Sequence, residues 1–334
     1  MVSMKDIAKF CGVSVATVSK ALNGLPGIGE ETRKRICNAA EELGYMANSA
    51  ARALKTNRTY NLGVLLLDER RNGLNHEYFS AMLESFKVEA EKHGYDITFI
   101  NENVGGKLTS YLQHCLYRGV DGVLIACIDF VDPRIQELVD GSIPVVTIDH
   151  VFPNRLAVVS DNAEGVEALV RYVYEKGHRK IAFLHGEPSR AATLKRLEGF
   201  HKACADLNLD VPEEYIKECI YHEPDVCAKA TREVLALPER PTCILFPDDY
   251  SFIGGINAIV EEGLRVPEDI SAVGYDGIHL AKAIHLTTYT QDTLALGQTA
   301  AQKLIQLVEH PELGHEAQIK ICGRLLESTS VKQL

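Results

Sequence analysis

Two groups of residues in this 334-residue chain have types and spacing that could do chemistry. The first lies in VSVATVSKALNG, residues 13–24. Ser14 is a good N-cap, Gly24 suits the left-handed position past a helix end, and Val15, Val18 and Leu22 recur at helical spacing. Ala16, Thr17 and Lys20 fall off that stripe and leave a nearly flat face, a shape that a DNA major groove admits. The second group is five acids that follow apolar runs: Asp68, Asp149, Asp248, Asp249 and Asp276. Ligands of parallel sheets lie at the carboxyl ends of strands, so these acids predict a polar pocket. Asp149 and Asp276 could instead cap the helices that follow.

Other chemistries find no support in the residues. No GxGxxG or P-loop follows a strand, and no Ser/His/Asp or Cys/His order stands out, so no catalytic residue is assigned. The nine cysteines include no CxxC pair and no Cys/His cluster at zinc spacing. No metal or cofactor is expected. Buried free thiols such as Cys127 and Cys243 are expected, and His178 and His185 read as core or solvated histidines. No apolar run reaches membrane-spanning length and residues 1–20 lack a signal-peptide core, which predicts a cytoplasmic protein.

These residues need elements to position them. SMKDIAKFCG reads as a short helix with a Ser3/Asp6 capping box, Ile7, Ala8 and Cys11 inward, and Gly12 as its stop. With residues 14–23 it forms a helix-turn-helix. A third helix is predicted over 30–45, with Ile36, Ala39, Ala40 and Leu43 inward. Residues 46–61 are rich in Ala, Asn and Thr and read as a linker with a short helix near 49–55. Beyond them, apolar runs at 62–67, 97–100, 121–126, 143–148, 180–186, 242–247 and 270–276 alternate with helix-length amphipathic stretches. That texture predicts buried parallel sheets in two doubly wound lobes.

Charge divides the chain in the same place. Residues 1–60 carry nine Lys/Arg against five acids, a net of +4, while the whole chain carries −11, which leaves −15 for residues 61–334. Only the head is suited to a polyanion, whose phosphates reward Lys and Arg through counterion release.

In order and spacing, DIAKFCGVSVATVSKALNG, TRKRICNAAEELGY, NSAARALK, DGVLIA, GHRKIAFL, RLEGF, VPEDISAVGYD and LTTYTQDTLALGQTAAQKL resemble the lactose-repressor (LacI/GalR) family of bacterial transcription regulators over essentially the whole chain. The resemblance implies an α/β protein with an all-α helix-turn-helix head (1–46), a hinge helix and linker (47–60) and a two-lobed, doubly wound, periplasmic-binding-protein-like core (61–334). Lobe 1 would hold about 61–160 and 292–322, and lobe 2 about 161–291 and 323–334. It places Val15, Ala16 and Lys20 where the family reads bases. The family more often carries Arg at the position of Lys20, so discrimination there should be softer. Thr17, Asn23 and Tyr45 match positions that hold phosphates or orient the head. Ala51, Leu54 and Lys55 match the hinge, with Leu54 as the wedge that kinks a central base step.

In the core the resemblance assigns effector contacts to Arg196 and Asp276, with Asp149, Tyr221, Asp248 and Gln291 nearby. Asp248 replaces an amide common in the family. The implied protein is a homodimeric repressor of a palindromic DNA operator, controlled by a small effector, with a sugar or sugar derivative favoured and no membrane partner. The competing readings are a solute-binding protein, which the basic head opposes, and an enzyme, which the missing motifs oppose.

Overall fold

The computed structural model describes residues 2–45, 58–67, 73–128, 130–314 and 317–334. The hinge residues Ala51, Leu54 and Lys55, and the strand-end acid Asp68, lie outside the described residues. The chain divides into two units, Met1–Thr59 and Tyr60–Leu334.

The first unit holds α1 (Met4–Cys11), α2 (Val15–Leu22) and α3 (Glu30–Glu42). Local chemistry sets their ends. Asp6 Oδ2 accepts from the Ser3 N–H at 2.8 Å, and Gly12 stops α1 at φ 63°. Ser14 Oγ accepts from the Thr17 N–H at 3.1 Å at the start of α2. Ile7, Val18, Ala21, Ile36 and Ala39 close a core of their own.

Among its described residues the second unit holds fourteen strands. They are β1 (Asn61–Leu66), β2 (Asp96–Phe99), the short pair β3 (Asn103–Val104) and β4 (Lys107–Leu108), β5 (Gly122–Ala126), β6 (Val145–Ile148) and β7 (Leu156–Ser160). Then come β8 (Ile181–His185), β9 (Ile216–Glu218), β10 (Cys243–Leu245), β11 (Ser271–Asp276), β12 (Thr287–Thr290), β13 (Gln318–Ile321) and β14 (Arg324–Leu326). Its α-helices are α4 (Glu77–Lys92), α5 (Tyr111–Arg118), α6 (Pro133–Asp140), α7 (Asn162–Glu175) and α8 (Ala191–Asp206). They continue as α9 (Pro224–Leu235), α10 (Phe252–Glu261), α11 (His279–Ala283) and α12 (Thr293–Glu309).

Lobe 1 is built on a parallel sheet in the order β13-β7-β6-β5-β1-β2. Lobe 2 is built on a sheet in the order β14-β12-β11-β10-β8-β9, parallel except for β14, which runs against β12. Strand β1 shows why the strands read as unbroken apolar runs. Its Leu62 and Val64 pack with Phe86 and Leu304 on one face, while Leu65 packs with Ile125 and Ile135 on the other. The chain crosses between the lobes three times, after β7, after β12 and between β13 and β14.

Candidate ligand cleft and nucleic-acid interface

Helix α2 presents the head's candidate contact face. Val18 and Ala21 are buried, while Val15 is 42% exposed and Ala16, Lys20 and Asn23 are exposed. Val15, the first residue of α2, therefore does not join the inward stripe expected from its spacing; Val18, Ala21 and the half-buried Leu22 form that stripe against Ile7 and Ile36. Thr17 is half-buried and shares a 2.8 Å hydrogen bond with the Ser14 hydroxyl, and Asn23 Nδ2 donates to the Ser19 carbonyl at 2.6 Å. Tyr45 packs half-buried on the head core. The Arg33 guanidinium donates to the Leu25 carbonyl at 2.9 Å and fixes the loop after α2. The result is a low-relief face bearing one ammonium group.

In the second unit, Asp149, Arg196, Tyr221, Asp248, Asp276 and Gln291 all line one cleft of about 620 Å³, between the carboxyl ends of the two sheets. That volume lies mid-range for small-molecule sites, which run ~300–1,000 Å³. Asp249, the fourth strand-end acid, does not line it. Its carboxylate accepts from the Gly277 and Ile278 N–H groups at 2.7 and 3.0 Å and from the Thr288 hydroxyl at 2.7 Å. It braces the turn after β11, so three of the five expected acids line the cleft among the described residues, joined by Glu187. Cys127, expected in the core, is half-buried on the cleft wall.

Arg196, from the second turn of α8, is buried at 6% exposure and held on every side. Its Nε donates to Asn162 Oδ1 at 2.8 Å, one terminal nitrogen donates to the Pro247 carbonyl at 2.7 Å, and the other lies 3.6 Å from Asp276 Oδ1. The guanidinium stacks over the Tyr275 ring at 3.6 Å and faces Tyr221 at 5.2 Å. Tyr221 in turn shares a 2.9 Å hydrogen bond with Thr193. Gly186 makes room for that ring, since a Cβ there would lie 2.1 Å from it.

Asp276 also accepts from Gln291 Nε2 at 2.6 Å, while Gln291 Oε1 is buried without a partner. Asp149 accepts from the Tyr78 hydroxyl at 2.9 Å and the Ser160 N–H at 2.7 Å. Neither Asp149 nor Asp276 caps a helix. Four non-glycine residues on this wall have left-handed backbone: Cys127 (φ 50°), Asp149 (55°), His222 (62°) and Asp276 (104°). Such strain gathers where a site needs a set geometry.

Burial pushes the Asp276 carboxyl up to about 7, with Arg196 opposing and Asp248 adding to the shift. Burial also raises Asp149, against the Ser160 N–H. For Arg196, burial disfavours the charge, but Tyr221, Tyr275, Asp276 and Asp149 outweigh it and raise its pKa, so it stays cationic. A test follows. Folded Asp276 takes up its proton near pH 7 and the unfolded residue only near 4, so wild-type stability rises as pH falls through that window. Asp276→Asn removes this dependence. In denaturant titrations from pH 8 to 5, wild type should gain ~2–3 kcal/mol relative to the variant. A constant difference would return Asp276 to the ordinary carboxyl range.

Sequence reasoning missed the cleft's rings. His76, Tyr78, Phe79, Phe130, His150 and His222 line it, with Phe130 and His150 stacked at 4.1 Å and 3°. They stand in loops and first helical turns without a shared spacing. Only the presence of aromatic residues close to the strand ends could have suggested them.

Comparison with known proteins fits this geometry. A family model described as bacterial regulatory proteins, lacI family, matches residues 3–48, and one described as periplasmic binding proteins and sugar binding domain of LacI family matches residues 59–329. The HTH-type transcriptional repressor PurR of Mannheimia succiniciproducens is 31% identical over 340 residues and covers all of both chains. That of Vibrio cholerae is 30% identical over 344 residues, with 100% of this chain and 99% of the relative covered. A crystal structure of the lac repressor dimer bound to operator and the anti-inducer ONPF superposes with a TM-score of 0.80, 26% identity and 99% coverage of both chains. A LacI family regulator from Enterococcus faecium with bound ribose gives 0.70 at 25% identity, over 82% of this chain and 99% of that one. Among the described residues, no helix is long and apolar enough to cross a membrane.

Proposed function

Because the chain belongs to the LacI family of bacterial regulatory proteins and is a DNA-binding transcription repressor, we propose that its operator affinity is set by a small polyhydroxylated effector, a sugar or sugar derivative, held in the cleft. The observation that carries this is the buried Arg196–Asp276–Gln291 group, a cation, an acid and an unpartnered amide oxygen converging on one cavity. Together they offer donors and acceptors to hydroxyls, and Tyr221 offers a ring face. Asp149, Asp248 and Asp276 surround the buried Arg196 and oppose a multiply charged anion there, while Arg190 and Glu187 elsewhere on the lining offset each other. The ribose in the Enterococcus relative and the stacked Phe130–His150 pair are consistent with a ring-shaped ligand.

Calorimetry with sugars, sugar phosphates and nucleobases against wild type, Arg196→Ala and Asp276→Ala tests the reading. Sugar binding lost in both variants supports it. Tight binding of a sugar phosphate, or sugar binding indifferent to both changes, overturns the pocket. A nucleobase bound alone would transfer the site to planar heterocycles stacked on its rings.

On the DNA side, the division is a head over 1–46, a hinge over 47–60 and a core over 61–334, working as a homodimer on a palindromic operator. One short helix reads few base pairs, so two heads supply the length. Val15 and Ala16 contact thymine methyls, Lys20 a guanine edge, and Thr17, Asn23 and Tyr45 hold the backbone. In the hinge, Ala51 and Lys55 flank the Leu54 wedge. Leu54→Ala is therefore expected to weaken operator binding at least 10-fold in salt-matched gel shifts while leaving non-specific binding within about twofold. Equal loss on both DNAs would remove the wedge.

A further inference from the structure

At one edge of the cleft the lobes touch through rings. His76, the residue before α4 in lobe 1, stacks on His222 of lobe 2 with centroids 4.3 Å apart and planes 15° apart. His222 stacks in turn on Tyr250 at 3.9 Å and 15°. The next residue, Glu77, accepts from the His279 N–H at 2.6 Å and meets its ring, so one short segment of lobe 1 grips a loop and the start of α11 in lobe 2. The two grips are unequal. The His279 side chain is 92% exposed, and an ion pair so placed adds little. His76 and His222 are half-buried and line the cleft, while Tyr250 backs them from its exposed outer side.

His222 reaches its position at a cost, since its φ is 62°. What holds it there is Asp248. Oδ2 accepts from the His222 N–H at 2.9 Å and the Ser251 hydroxyl at 2.7 Å, and Oδ1 accepts from the Ser251 N–H at 2.7 Å. With these three donors already bound, the Asp248 carboxylate serves the protein before it serves a ligand.

We propose that the His76–His222–Tyr250 stack is the clasp that holds the two lobes closed over the cleft, and that Asp248 is the positioning residue that sets His222 into it. Its regulatory meaning rests on the reading of this cavity as the effector site. A ligand that draws on Asp248 slackens the clasp, and one that fills the cleft without disturbing it leaves the lobes closed. Lobe closure and cavity chemistry then meet in a single carboxylate.

Hydrogen exchange on the full-length protein, with no ligand added, tests the clasp. The reporters are amides on the cleft floor far from His222 in sequence: Asp149, bonded to the Val158 carbonyl, Ser160, bonded to Asp149, and Gln291, bonded to the Asp276 carbonyl. Opening the lobes exposes all three to solvent. His222→Ala and His76→Ala should each speed their exchange roughly 3- to 10-fold. At the reporter amides the double variant should match the stronger single, because either truncation removes the His76–His222 face that joins the lobes. Asp248→Ala should reproduce His222→Ala, and His279→Ala should change the floor less than twofold.

A role of His222 confined to its own loop would accelerate only residues 219–223. Wild-type rates at Asp149 and Ser160 in both His76→Ala and His222→Ala, or additive effects in the double variant, would overturn the proposal. His76→Ala lies at a half-buried site in the other lobe and keeps the test valid should Asp248→Ala fail to fold. Loss of sugar binding in the calorimetric panel would not alter these rates, so the two readings fail separately.

Discussion

Arg196→Met is expected to abolish the effector response and to cost about 3–5 kcal/mol of stability at pH 8, the range for breaking a buried ion pair. The size follows from what the guanidinium holds together. Without it, Asp276 is left as a buried carboxylate beside Asp248 and Asp149, and Asn162 Oδ1 and the Pro247 carbonyl lose their donors. Methionine fills most of the volume, so the loss reports charge and hydrogen bonding more than a cavity. Acidification should return part of it. At pH 5 the Asp276 carboxyl is protonated and needs no counter-ion, so the deficit in urea titrations should shrink markedly. A cost below about 1 kcal/mol at pH 8 would mean that water or another cation compensates, and Arg196 would lose its central place.

Gly254→Ala should damage lobe 2 on a comparable scale by another route. Here α10 crosses the start of α9 so closely that an added Cβ would lie 1.7 Å from the Pro224 carbonyl oxygen. Backbone cannot rotate away as a side chain does, so the two helices must separate. The expected cost is about 3 kcal/mol or more, which for a unit of this size lowers Tm by at least roughly 5 °C in scanning calorimetry. Pro224 stands two residues past His222 and three past Tyr221, so the displacement carries into the cleft as well. A Tm within 2 °C of wild type would show that the crossing has slack.

How much of this could be read from the chain depended on how local the cause was. The Ser3/Asp6 box, the Ser14 cap and the Gly12 stop are settled within four residues, and each stands where its pattern put it. Most of the buried central strands were legible because both faces are covered, although β7 (LAVVS), buried throughout, was missed so soon after β6. Strand β12 was not, because its sequence is TTYT: Thr287 and Thr288 are fully buried but satisfied by Ser328, Ser330 and Asp249 across the fold. The partly exposed QIKI and RLL of β13 and β14, and the short β9, carried too little apolar pattern.

At the cleft, strand-end position identified three acids and failed on Asp249. Adjacent residues after a strand point opposite ways, and nothing in DDY says which one faces in. The clasp joins residues 76, 222 and 250, so only the closed chain brings it into being.

The threefold crossing between lobes also dictates an order of synthesis. The head closes its core with residues no later than 45, whereas lobe 1 waits for β13 and lobe 2 for β14, which ends at Leu326. At ribosomal speeds of ~5–20 residues per second, the interval between those two points is on the order of 15–60 s. From β8 until β13 is made the nascent chain carries a finished helix-turn-helix and two unfinished sheets with open edges, the state most in need of chaperones. A premature stop codon anywhere in that span leaves a DNA-reading module without the completed core that belongs to it.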